Sequence, residues 1–211
     1  MRISLIGMSG SGKSAWSLKL SELGFKRFCC DDLITKKLAS QLMRPDETYM
    51  DLGEWMGFPY DPQYKEREST YLACEIQVVT EIIEYLESRE NDPGENVAVD
   101  TTGSAIYTGE EILTRLRRST TIVLLSTPPE VQDLMLKAYT ANHRPVLWRD
   151  MFSKEPNETN EEALARCYPK LLVTREHLYE RYADVTIEYY TRNQDGFGVS
   201  DFLDRINVRT M

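Results

Sequence analysis

The sequence predicts an α/β fold with a parallel sheet, and three observations carry that prediction. Short apolar runs alternate with stretches of helical periodicity, the pattern of strands joined by crossover helices. The first run, Ile3-Ser4-Leu5-Ile6, leads straight into Gly7-Met8-Ser9-Gly10-Ser11-Gly12-Lys13-Ser14, a G-x-x-x-x-G-K-[ST] loop. A helical stretch with Trp16, Leu20 and Leu23 on one face then follows and closes at Gly24, a C-cap residue.

The loop defines the first chemistry. Gly7, Gly10 and Gly12 let the main chain curl so that successive N–H groups converge on phosphate oxygens, with Ser11 in the curl. The helix start adds partial positive charge. Lys13 is the residue type that reaches the outer phosphates, and Ser14 offers a hydroxyl to Mg²⁺.

Four more strands are expected at 26–30, 97–100, 120–125 and 184–189. A long helix is expected over 64–90, with Leu72, Ile76, Val79, Ile83 and Leu86 stepping by four and three. It stops at Asn91-Asp92-Pro93-Gly94, a turn signal. Further helices are expected at 110–118, at 129–140 after Pro128, at 161–183 with Pro169 opening a new helix or kinking one, and at 199–208. Residues 45–63 and 141–160 carry prolines, glycines and polar groups and read as long loops of the kind used for binding or as lids.

The chain has 211 residues and a net charge of −9. That is one α/β domain, with no general attraction for nucleic acid or an anionic membrane. No apolar run reaches the length of a membrane span, and no secretory leader is visible at the N-terminus. Cys29, Cys30, Cys74 and Cys167 form no disulfide-scaffold spacing, so a reduced cytoplasm is the expected location. His143 and His177 have no metal-ligand spacing between them.

Two strand ends supply the acidic groups. Phe28-Cys29-Cys30-Asp31-Asp32 lies at the carboxyl edge of the second strand, where open parallel sheets bind ligands. A carboxylate there can accept a hydroxyl proton or hold Mg²⁺, or it can cap the helix expected to start near Leu33. Val97-Ala98-Val99-Asp100 ends in an aspartate of the kind that holds Mg²⁺, commonly through a water, and Thr101-Thr102-Gly103-Ser104 follows as a small polar turn. Trp55–Tyr60 is aromatic-rich and either walls a substrate site or packs a long loop.

Taken in order, these motifs resemble the shikimate kinase family of small P-loop kinases over most of the chain. The family's D-x-D motif with a later isoleucine appears as Cys29-Cys30-Asp31 with Ile34, so Asp31 matches the aspartate that holds substrate hydroxyls. Its F-R-x-x-E motif appears as Tyr64-Lys65-Glu66-Arg67-Glu68, placing Lys65 where an arginine grips the substrate carboxylate. Its triple-glycine turn appears as Thr101-Thr102-Gly103, and its R-P-L-L lid motif as Arg144-Pro145-Val146-Leu147. Lys137, seven residues earlier, falls where an arginine stacks on adenine. The R-x-P-L-Y motif appears as Arg175-Glu176-His177-Leu178-Tyr179, so Arg175 matches the second carboxylate-gripping arginine.

The resemblance implies a three-layer α/β/α P-loop kinase fold with a five-stranded parallel sheet ordered 2-3-1-4-5. It implies one domain over 1–211, with a substrate-binding segment at about 33–70 and a lid at about 138–160. The implied cofactors are ATP and Mg²⁺, and the implied reaction is phosphoryl transfer to a hydroxyl of a small anionic metabolite, shikimate or a related hydroxy acid. Lys13, Asp31 and Arg144 are then catalytic. The loop and Lys137 hold nucleotide; Asp31, Lys65, Gly103 and Arg175 hold the acceptor; Ser14 and Asp100 hold Mg²⁺. The departures fall on acceptor-facing positions: cysteine for the first aspartate, lysine for an arginine, threonines for glycines. The same motifs also admit a nucleotide-binding regulator that phosphorylates no small molecule.

Overall fold

The computed structural model describes residues 1–89, 94–142 and 144–207. His143 and the turn residues Asn91–Pro93 lie outside the described residues. Five strands form one parallel sheet: β1 (Arg2–Ile6), β2 (Lys26–Cys29), β3 (Val97–Asp100), β4 (Thr121–Leu125) and β5 (Val185–Ile187). The order is β2-β3-β1-β4-β5, with every pairing parallel. Both neighbours of β1 are therefore reached by crossovers, which opens a crevice at the carboxyl edge above the glycine loop.

The strand alternation sorts the core into two layers. Ile3, Leu5, Ala98, Val123 and Leu125 face helices α1 (Lys13–Glu22) and α10 (Val199–Asn207), with Trp16 stacked on Phe202 at 4.4 Å. Ile6, Val97, Val99, Ile122 and Leu124 face the opposite layer, built from α5 (Tyr64–Ser88), α6 (Glu110–Ser119) and α8 (Asn160–Tyr182). Burial of this two-sided sheet is the main source of stability.

The ends of α1 and α8 follow their local chemistry. Helix α1 closes in a Schellman turn: Phe25 N donates to Leu20 O and Gly24 N to Ser21 O, with Gly24 at φ 87°. Helix α8 opens on a reciprocal capping box between Thr159 and Glu162 and runs through Pro169 as one element.

Several sequence expectations shift. The second strand ends at Cys29, because Cys30 already begins α2 (Cys30–Lys37). Asp31 and Asp32 thus lie in the first turn of α2, where the helix end favours acidic groups, and neither side chain is its cap. The fifth strand is only Val185–Ile187, since Arg192 from the short helix α9 (Tyr189–Arg192) ties down Ile187 O at 2.8 Å.

The two expected loops contain organised backbone. Beyond α3 (Ala39–Leu42), Asp51 caps α4 (Leu52–Met56) by accepting from Glu54 N at 2.7 Å. Val146, Leu147 and Trp148 are buried after α7 (Pro129–Ala141), and a 3₁₀ turn covers Arg149–Met151.

Candidate active site

A cleft of about 610 Å³ opens at the carboxyl edge of the sheet. It is lined by Ser9, Gly10, Gly12, Lys13 and Ser14 of the glycine loop, by Asp31 and Thr35 of α2, by Tyr71 of α5, by the turn Thr101–Gly103, and by Arg144 and Pro145. Asp51, Leu52 and Gly53, at the start of α4, also line it.

The glycine loop is shaped for a polyphosphate. Gly7, Gly10 and Gly12 all hold positive φ, and a Cβ on Gly7 would stand 2.7 Å from Leu125 O. The buried Ser11 Oγ has no hydrogen-bond partner among the described residues. Lys13 is buried, its Nζ donating to Gly7 O at 2.8 Å and Met8 O at 2.9 Å. Burial lowers its pKa to about 8, against the opposing pull of the Asp31 and Asp100 carboxylates. These features fit a bound phosphate chain, and Ser14, in the same cleft lining, is the hydroxyl that would hold a Mg²⁺ ion and let it neutralise phosphate charge.

Asp31 shares this cleft with the loop and is the carboxylate that acts most strongly on the Lys13 charge. Its Oδ1 accepts from Tyr71 OH at 3.2 Å. Burial raises its pKa, and the Lys13 charge pulls the other way. A carboxylate so raised is better matched to taking a hydroxyl proton than an ordinary surface aspartate.

Asp100 ends β3 between β1 and β2, in register with Leu5 and Cys29. Its Oδ2 accepts from Arg27 Nη2 at 2.7 Å and Ser17 Oγ at 3.0 Å, so it is tied to an internal ion pair beneath the loop rather than lining the cleft.

Arg144 is exposed at the mouth, its Nη1 placed 3.5 Å from where a Cβ on Gly10 would be. The residues after it are fixed, not loose. Tyr64 OH accepts from Trp148 N at 2.8 Å and lies 2.7 Å from Val146 O, while Glu68 Oε1 accepts from Arg149 N at 2.7 Å. Arg175 Nη2 donates to Leu147 O at 2.7 Å. Arg144 is thus carried on a buried plug bolted to α5 and α8. Tyr64→Phe is expected to leave the buried Trp148 N–H unsatisfied and to cost about 1–3 kcal/mol of stability, measurable by urea unfolding.

Arg175 is buried directly behind Gly103, where a Cβ would meet its Nη1 at 3.5 Å, and its Nε has no hydrogen-bond partner among the described residues. Lys65 and Lys137 do not join the cleft. Lys65 is exposed on the first turn of α5, one residue past the inward-facing Tyr64, and Lys137 is exposed on α7. Trp55 is buried, and Phe58 and Tyr60 stack at 5.2 Å and pack on Tyr139 and Phe152, so this segment packs its loop. His177 is exposed beside Glu180.

Sequence reasoning missed the polar stripe of α5. Leu72 and Ile76 are only half-buried; the inward residues of this half are Tyr64, Glu68, Tyr71 and Glu75. Their four-three-four spacing is a helical face, the one signal that could have exposed them. Glu75 is fully buried, and its oxygens accept from the Thr102 and Ser104 hydroxyls. Burial nevertheless pushes its pKa up to about 7, with Asp31 adding to the rise and Arg175 opposing it.

The folded state therefore holds this proton after the unfolded chain has lost it. Its contribution to stability is full below pH 4.5 and declines as pH rises through about 7. Denaturation of wild type and Glu75→Gln across pH 5–8 is expected to show the variant losing less stability with rising pH, by about 1–3 kcal/mol over that range.

Solved structures give the comparison. Shikimate kinase from Acinetobacter baumannii in complex with shikimate superposes with a TM-score of 0.62 at 24% identity, covering 98% of this chain and 90% of that one. Shikimate kinase from Aquifex aeolicus gives 0.62 at 19% identity, covering 100% and 99%. The fold is that of the shikimate kinases. The enzyme from Bacteroides thetaiotaomicron adds a TM-score of 0.61 at 18% identity, covering 99% and 97%. No protein-family model matches the chain, and no curated protein matches it by sequence. Of the residues matched to shikimate kinase motifs, the glycine loop, Asp31, Gly103 and Arg144 line the cleft, Arg175 is buried behind Gly103, and Lys65 and Lys137 are exposed and not among the lining residues. No described helix is long and apolar enough to cross a membrane.

Proposed function

We propose that this protein is a small-molecule kinase that transfers the γ-phosphoryl group of ATP to a hydroxyl of an anionic metabolite, shikimate or a related hydroxy acid. The observation that carries the reading is that the glycine loop with Lys13 and the carboxylate Asp31 line one cleft and lie close enough for each charge to act on the other.

Gly10, Ser11, Gly12 and Lys13 hold the phosphates by N–H groups and charge, with Gly7 making room for the loop. Ser14 offers the ligand for Mg²⁺, which would neutralise phosphate charge when bound. Asp100 supports that site from below through Ser17 and Arg27. Asp31 orients the acceptor hydroxyl and takes its proton. Arg144 stabilises charge on the transferring group.

Support for an anionic acceptor comes from Arg175. It is a buried guanidinium behind Gly103 that does not itself line the cleft: Nη2 donates to Leu147 O, the group lies over the Tyr107 ring, and Nε alone has no partner among the described residues, so the cation adds positive potential behind the cleft turn. Lys65 and Lys137 have no part in this reading.

An ADP-release assay over shikimate, related cyclic hydroxy acids, neutral polyols and nucleoside monophosphates tests it. A hydroxy acid is expected as the best acceptor. Arg175→Lys is expected to raise its KM by about tenfold, since lysine cannot span two partners, with the ATP KM unchanged. A neutral polyol or a nucleoside monophosphate as best acceptor removes the anionic assignment.

A further inference from the structure

This inference rests on the phosphoryl-transfer reading and concerns what holds the acceptor side of the cleft in shape. The turn Thr101–Ser104 occupies the place where three glycines would leave an open floor. Threonine hydroxyls there would crowd an acceptor, yet the structure turns them inward. Thr101 Oγ1 donates to Leu5 O at 2.6 Å. Thr102 Oγ1 donates to one oxygen of Glu75, and Ser104 Oγ donates to the other at 2.8 Å. Thr102 Oγ1 also accepts from Ser104 N at 3.1 Å. Between them, Gly103 gives its carbonyl to Tyr179 OH at 2.5 Å and lies so near the glycine loop that a Cβ would stand 3.0 Å from Ser9 N.

A fully buried carboxyl whose partners are two hydroxyls is an expensive way to fill space on a helix. A hydrophobic residue of similar volume would serve the core at least as well. What a carboxyl does here, through its two oxygens, is engage both hydroxyls flanking Gly103 at once. One turn earlier on the same helix, Tyr71 holds Asp31. Helix α5 therefore indexes both the proton-accepting carboxylate and the cleft turn from one rigid element.

We propose that Glu75 is a positioning residue of the acceptor site. It holds the Thr102 and Ser104 hydroxyls on the α5 side of the turn, so that the main chain around Gly103 stays against the glycine loop. Glu75 itself does not line the cleft and touches no substrate.

Two measurements on Glu75→Gln test this, one independent of turnover. Amide hydrogen exchange by NMR on the free protein is expected to quicken about tenfold at Gly103 and Ser104, with the Gly7–Ser14 amides unchanged. In kinetics with the best acceptor, the acceptor KM is expected to rise about tenfold while the ATP KM stays within twofold. Should Glu75→Gln fold poorly, Ser104→Ala removes one arm of the clamp while the carboxyl keeps its bond from Thr102, and it is expected to quicken exchange at Gly103 and to raise the acceptor KM by about threefold each. Exchange unchanged at Gly103 and Ser104, or quickened equally along the whole chain, overturns the proposal. If the wild type transfers no phosphoryl group to any acceptor, the kinase reading fails by itself, and the exchange result still decides what Glu75 does.

Discussion

Asp31→Asn is expected to reduce phosphoryl transfer by about 10²–10⁴ while nucleotide binding persists. Asparagine preserves the shape of the side chain and can still meet Tyr71, but it carries no charge and accepts no proton. The size of the effect follows from the position of Asp31 in one cleft with Lys13, with its pKa raised mainly by burial. One coupling must be controlled. Asp31 helps keep Lys13 charged, so its removal lowers the Lys13 pKa further. Nucleotide affinity is therefore best compared over a series of pH values below 8, where a plateau in each protein marks Lys13 as protonated. Single-turnover kinetics alongside calorimetric titration with ATP separates the two quantities. Turnover surviving within threefold would leave Asp31 as a mere first-turn acidic residue of α2.

Lys13→Ala is expected to erase most of the thermal stabilisation given by MgATP. A ligand present at 100 times its dissociation constant adds about 2.7 kcal/mol to the folded state, or about 5–10 °C in a chain of this size. The variant loses the charge that the loop buries for this purpose. Wild type should also show a pH signature. Because burial lowers the Lys13 pKa to about 8, ATP binding above that pH requires proton uptake, and affinity should fall by up to tenfold per pH unit. Lys13→Ala should bind weakly with no such slope. Equal thermal shifts in the two proteins would remove the glycine loop from the account.

What the sequence made legible was the frame. The five strands and their long crossover helices follow from alternating apolar runs, because a two-sided parallel sheet can be buried in few other ways. The order β2-β3-β1-β4-β5 came from motif resemblance, and the structure has it. Strand ends were less legible. Cys30 and Glu188 lie within the expected strands, but at each the chain has already turned into a helix, α2 at Cys30 and α9 just after its N-cap Glu188, with the local bond from Arg192 to Ile187 O closing the second turn.

The cleft was half legible. Gly10, Gly12, Lys13, Ser14, Asp31, Gly103 and Arg144 line it as their motifs suggested. Lys65 and Lys137 were carried over by position in a motif, but helical rotation puts both on exposed faces. Tyr71 and Glu75 were hidden for the opposite reason. An inward polar residue on an amphipathic helix is indistinguishable in sequence from an outward one until its partners are known, and those partners, Asp31 and Thr102, lie 40 and 27 residues away. The plug Val146–Trp148 was equally opaque, since its anchors Tyr64, Glu68 and Arg175 come from two other helices.

The most direct test of the account follows the phosphoryl group itself. The protein is incubated with ATP labelled in the γ-phosphoryl group, Mg²⁺ and the best acceptor, and the products are resolved by ³¹P NMR and mass spectrometry. The account predicts one labelled phosphate ester on an acceptor hydroxyl for each ADP formed, with the ester absent in Asp31→Asn. Label found only in inorganic phosphate, or retained in ATP that the protein binds but never turns over, would contradict it.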